Sequence, residues 1–181
     1  MKSICVIGSG ISGSTIANLL SKKYKVDVYE KAKGIGGRSS HRRYLNKLGF
    51  DHGLQYISPK TSKFKKFCSG LQKKRVLKKW QGLHKFDHSK VLENKKHTKL
   101  IGAKGNNAIS KYLLKNINCI FGYELFKIER IRKNWKLIFL NGDVKYYEIL
   151  IISIPFAQSK KLLKKFLPNF FKNKKVKMDA N

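Results

Sequence analysis

The chain has 181 residues, 41% of them apolar, enough for one sizeable domain with a real core. No apolar run approaches the length of a membrane span, and the N-terminal run is too short for a signal peptide. Lysine and arginine number 41 against 10 acidic residues, a formal charge of +31. Two readings stay open for that charge: a polyanion partner such as nucleic acid or an anionic membrane, and a compositional bias. The bias is favoured and nucleic acid disfavoured. The excess is scattered and nearly all lysine, with arginine only at Arg38, Arg42, Arg43, Arg75, Arg130 and Arg132. Arginine is the better reader of phosphates and bases. Cys5, Cys68 and Cys119 are odd in number and far apart. That fits reduced thiols in a cytoplasmic protein and not a disulfide framework or a zinc site.

The first predicted strand, Ile4-Cys5-Val6-Ile7, runs straight into Gly8-Ser9-Gly10-Ile11-Ser12-Gly13. A helical pattern follows, with Ile16, Ala17, Leu19 and Leu20 on one side. A second strand, Val26-Asp27-Val28-Tyr29, ends on Glu30. This is the context in which G-x-G-x-x-G binds a dinucleotide. Gly8 allows a tight turn, Gly10 lets a pyrophosphate reach the backbone, and Gly13 lets the helix pack close to the strand. The helix N-terminus offers free N–H groups and a positive dipole end, to which Ser9 and Ser12 add hydroxyls. Glu30 can accept hydrogen bonds from ribose hydroxyls and should repel a 2′-phosphate.

A second cluster, Gly34-Ile35-Gly36-Gly37-Arg38, follows. Gly36-Gly37-Arg38 resembles the G-G-R element of flavoproteins of the amine-oxidase and glutathione-reductase type. That resemblance lays Arg38 along the dinucleotide and favours FAD over NAD. Ser39 to Gly49 reads as a solvated loop. Phe50-Asp51-His52-Gly53-Leu54-Gln55-Tyr56 comes next, and here the chain resembles the renalase-like FAD-dependent oxidoreductases. The resemblance brings Gln55 and Tyr56 beside the flavin. Read from the residues alone, Tyr56 serves equally as strand core, Asp51 as a turn former and His52 as a structural histidine.

Pro59 to Leu71 reads as a helix with Phe64, Phe67 and Leu71 inward. Val76 to Trp80 reads as a strand, and Gln81 to Lys99 as loop or weak strand. His84, His88 and His97 in that stretch lack metal-ligand spacing, so no metal is expected. Asn106 or Asn107 caps a helix carrying Ile109, Tyr112 and Leu113. Asn118 to Phe121 is a short strand. Leu125 to Ile131, Trp135 to Leu140 and Val144 to Tyr147 form a meander with a hairpin turn at Asn141-Gly142. By resemblance, the backbone near Leu125 and Phe126 meets adenine. Ile149 to Ile154 is the return strand, covered on both faces. Ser159 to Phe166 is a basic helix, and 168–181 is a frayed lysine-rich tail.

The expectation is an α/β protein with a Rossmann-like FAD-binding fold: a parallel sheet with helices, a β-meander insertion and an incomplete substrate domain. Residues 1–167 form the dinucleotide-binding domain, with 57–100 beginning a substrate subdomain. The expected cofactor contacts are Gly8, Ser9, Gly10, Ser12, Gly13, Glu30, Gly36, Gly37, Arg38, Gln55, Tyr56 and Phe126; no catalytic residue is named. The resemblance implies hydride removal by the flavin from an amine or a dihydronicotinamide, with oxygen as acceptor. It also implies that a longer enzyme carries parts this chain lacks. That leaves a truncated product, one half of a split enzyme completed by a second chain, or a reduced FAD-binding module. An inactive nucleotide-binding remnant and a lysine-rich polyanion binder stand as alternatives.

Overall fold

The computed structural model describes residues 1–44, 48–81, 84–86, 90–92 and 98–172, without the side chains of 84–86 and 90–92. His88, His97, the side chain of His84 and the tail beyond 172 therefore lie outside the described residues. In chain order the elements are β1 (Ser3–Ile7), α1 (Ile11–Leu20), β2 (Lys25–Glu30), a 3₁₀ turn (Gly37–Ser39), β3 (His41–Tyr44) and β4 (Leu48–Asp51). Then come α2 (Ser62–Lys73), β5 (Leu77–Lys79), β6 (His84–Phe86), β7 (Lys90–Leu92), β8 (Leu100–Gly102) and α3 (Ala108–Leu113). β9 (Asn118–Phe121), β10 (Leu125–Ile131), β11 (Asn134–Phe139), β12 (Val144–Tyr147), β13 (Ile149–Ile152), α4 (Phe156–Leu163) and α5 (Pro168–Lys172) follow. The chain divides into two units, one of Met1–Gly34 with Asn116–Asn181, the other of Ile35–Lys115.

The first unit holds a parallel sheet in the order β13-β1-β2-β9. This is the Rossmann-like arrangement, in which strand order reverses beside the first strand and ligands gather at the carboxyl ends. The antiparallel meander β10-β11-β12 is inserted before β13. Cys5, Ile7 and Tyr29 from the sheet pack with Leu125, Ile128, Leu137, Phe139 and Tyr147. The Tyr29 ring lies 4.7 Å from Phe139 and 5.4 Å from Tyr123, centroid to centroid. A hydrogen-bond chain runs beside this cluster. Tyr29 donates to Tyr147 (2.9 Å), Tyr147 donates to Asp27 (2.8 Å), and Asn118 Nδ2 donates to the other Asp27 oxygen (2.7 Å). Burial raises the Tyr147 hydroxyl well beyond the usual tyrosine range, helped by Tyr29 and Asp27, and raises Tyr29 as well. Burial also raises all three thiols, Cys5 most clearly and with Asp27 adding to it.

Four expectations for this unit need correction. The stretch expected to begin a frayed tail at residue 168 is helical over Pro168–Lys172, because Phe171 is buried against Phe156. Leu19 is 56% exposed, and the buried stripe of α1 is Gly13, Ser14 and Ala17. A helix packed this close to a sheet buries its small side chains and turns its leucine outward. β13 is only half-buried along its length, because it is the edge of the sheet among the described residues. The following helix starts at Phe156 and not at Ser159, since Pro155 supplies its N-cap position.

In the second unit the three two-stranded ladders are β3-β4, β5-β8 and β6-β7. Its core is Ile57, Cys68, Leu71, Leu77, Leu100, Ile109 and Leu113. Thr61 caps α2 by accepting from the Phe64 N–H (3.3 Å). The stretch expected to be a solvated loop forms the β3-β4 hairpin, because Arg43 pairs with Gly49 and His41 with Asp51. Phe64 is 37% exposed and stacks on Phe67, while Cys68 takes the inward place in the α2 stripe. Among the described residues no helix is long and apolar enough to cross a membrane.

Candidate functional site: the loop after the first strand

β1 delivers the chain to Gly8, which turns at φ +100° while its N–H bonds the Tyr29 carbonyl at 2.8 Å. Only glycine takes that φ without strain. A Cβ on Gly13 would run into the Gly8 carbonyl and lie 2.7 Å from the Ser153 hydroxyl. Gly10 is the N-cap of α1 in extended geometry, with no side-chain cap and no acid in the first turn. The first-turn N–H groups have no acceptor within the helix, and the dipole is positive there. Ser12 is exposed on that turn.

Glu30, 8% exposed, sits at the end of β2 with its carboxylate held in place. Oε2 accepts from the Ser9 N–H (2.9 Å) and the Ser9 hydroxyl (2.8 Å), and Oε1 accepts from the Ala32 N–H (2.9 Å). A carboxylate has about four lone-pair positions, so one further donor can be accommodated. Ser9 is wholly buried, and its hydroxyl positions the acid instead of reaching outward. Ser14 was missed by sequence reasoning. Its hydroxyl is within bonding distance of the Gly10 carbonyl (2.8 Å) and the Ser9 carbonyl (3.1 Å), tying the loop to the helix. Ser153, just past β13, was missed too; its buried hydroxyl has no partner among the described residues. An unsatisfied donor, an uncapped helix start and glycines packed against backbone suit an anionic group lying close to the main chain, such as a pyrophosphate.

Phe126 also belongs to this unit. The Tyr123 N–H bonds the Glu30 carbonyl (3.0 Å), so the chain passes Glu30 three residues earlier. The Phe126 side chain, 63% exposed, lines a groove with Lys161, Leu162, Lys165 and Phe166.

In the second unit Gly36 (φ +132°) and Gly37 (φ +54°) make the turn before Arg38. A Cβ on Gly36 would sit 2.8 Å from the Cβ of Asn107. The Arg38 side chain is exposed and pairs with no carboxylate among the described residues. Its carbonyl accepts the Leu54 N–H at 3.0 Å. Gln55 is exposed; Tyr56 stacks on Trp80 at 5.6 Å, with the Lys99 ammonium 4.3 Å from its ring centroid.

Asn106, expected as a possible helix cap, does something else. It is wholly buried, accepts the Gly102 N–H (2.9 Å), and donates its amide hydrogens to the Leu54 and Gln55 carbonyls. Its own N–H donates to Asp51 (2.8 Å), whose same oxygen meets His41 Nδ1 at 2.9 Å. Asp51, expected as a turn former, thus anchors a polar knot that fixes the backbone of 53–55. Asn107 holds the N-cap position of α3 without a side-chain cap bond and instead donates to the Ile35 carbonyl (3.2 Å).

Residues 6–71 match the NAD(P)-binding Rossmann-like domain. Among solved structures the chain is similar to tetracycline destructase Tet(51), with a TM-score of 0.61 and 15% identity, covering 90% of this chain and 41% of that one. It is also similar to a protein from Exiguobacterium sp. 255-15 provisionally assigned as protoporphyrinogen oxidase. There the TM-score is 0.67 and the identity 12%, over 94% of this chain and 63% of that one. At such identities the likeness is one of fold. The chain spans less than two thirds of the length of either structure.

Proposed function

We propose that this chain binds FAD and belongs to an oxidoreductase of the renalase-like, amine-oxidase type. The observation that carries the reading is Glu30, fixed by Ser9 at the end of β2 in the same unit as an uncapped, acid-free helix start. The first-turn N–H groups of α1 would hold the pyrophosphate, the Ser153 hydroxyl would gain a partner, and Glu30 would take a ribose hydroxyl. By resemblance, Gly36, Gly37, Arg38 and Gln55 contact the dinucleotide. Bound flavin supplies the hydride chemistry, with oxygen as acceptor, so the chain's own residues bind and orient and need no protein nucleophile. The substrate class is an amine or a dihydronicotinamide, and the setting is cytoplasmic.

Gel filtration of the protein with added FAD tests this. Flavin absorbance at about 450 nm should co-elute with the protein. ADP should displace the flavin, and ADP carrying a 2′-phosphate should do so poorly because of Glu30. Protein that stays colourless at saturating FAD overturns the proposal. The alternative reading is a nucleotide-binding module without turnover. Oxygen consumption with dihydronicotinamides by the flavin-loaded protein separates the two.

A further inference from the structure

β10 pairs with β11 on one side and, among the described residues, with no strand on the other. A groove of about 530 Å³ lies between it and the α4 region. Six consecutive residues, Phe126 to Ile131, line that groove. Successive side chains of a strand point to opposite faces, so a lining with no alternation means the groove follows the strand's free edge. Such an edge presents unpaired N–H and C=O groups, which another extended backbone complements. The register shift between Leu125 and Lys127 disturbs only the beginning of the strand. The flanks are cationic: Lys127 and Arg130 from β10, Lys161 and Lys165 from the α4 side. The one carboxylate of the lining, Glu129, is already held by Lys127 (2.7 Å) and Lys136 (3.4 Å). Phe126, Ile131, Leu162 and Phe166 supply apolar surface.

We propose that an extended acidic peptide from another protein adds to β10 as a further strand of the meander. Main-chain bonds along the edge give affinity. Arg130, Lys161 and Lys165, with the four apolar side chains, select carboxylates alternating with apolar residues. A nucleic acid or a free anion would use the charge but leave the strand edge unpaired.

Selection from a displayed library of random peptides of about ten residues, at about 150 mM salt, tests the proposal. The expected result is enrichment of acidic, alternating sequences. A synthetic copy with alternate backbone amides N-methylated should bind about tenfold more weakly or worse, since it keeps its charge but cannot form the ladder. The Lys161→Glu/Lys165→Glu protein should show a similar loss. The proposal is overturned if no acidic sequence is enriched or if the methylated peptide binds as well as its parent. A dimer seen by sedimentation and dissolved by the double substitution also overturns it, because a second copy would then fill the groove.

Discussion

Ser9 and Glu30 act as a pair, and the acid's orientation depends on the serine. Ser9→Ala should weaken FAD or ADP binding about five- to tenfold by calorimetry and cost about 1–2 kcal/mol of stability, because the buried carboxylate loses a donor. Unchanged affinity would mean the ribose does not use Glu30. Tyr29 and Tyr147 give a pH prediction. Burial raises both in the folded state, so their contribution is complete below the ordinary tyrosine pKa of about 10 and declines as pH climbs above it. The urea midpoint should hold steady up to about pH 10 and fall as pH rises above it, and Tyr147→Phe should flatten the fall. The position of Glu30 at the end of β2 was legible because the strand–turn–helix–strand pattern sets it. Asn106 was not: its partners at 51, 54, 55 and 102 meet it only in the fold, and an asparagine before a helix reads as a cap.

Among the elements, α1 and α2 make opposite demands on glycine. Gly13→Ala drives a Cβ into the Gly8 carbonyl, so about 2 kcal/mol or more of stability should be lost together with cofactor uptake. Gly70, within α2, has nothing within 4 Å of an added Cβ. Gly70→Ala should therefore raise stability by about 0.5–1 kcal/mol, read from denaturant midpoints. Failure of either sign would contradict the packing described for that helix. The sheet strands and the meander were legible because apolar runs and the Asn141-Gly142 turn are local signals. The α1 stripe was misread because close packing on a sheet favours small residues over Leu19. The β3-β4 hairpin was missed because its partners alternate weakly between apolar and polar.

For the molecule as a whole, a formal charge of +31 makes self-repulsion a standing cost of compactness. Raising salt from about 20 to about 300 mM should increase the melting temperature. A flat response would mean the lysines are already compensated. The division of the chain also affects synthesis. The first unit is built from Met1–Gly34 and Asn116–Asn181, with Ile35–Lys115 between them. At about 5–20 residues per second on the ribosome, β1 and β2 emerge several seconds before β9 and β13 exist to flank them. During that interval the nascent pair has two open flanks, so chaperone occupancy should peak before β9 leaves the exit tunnel.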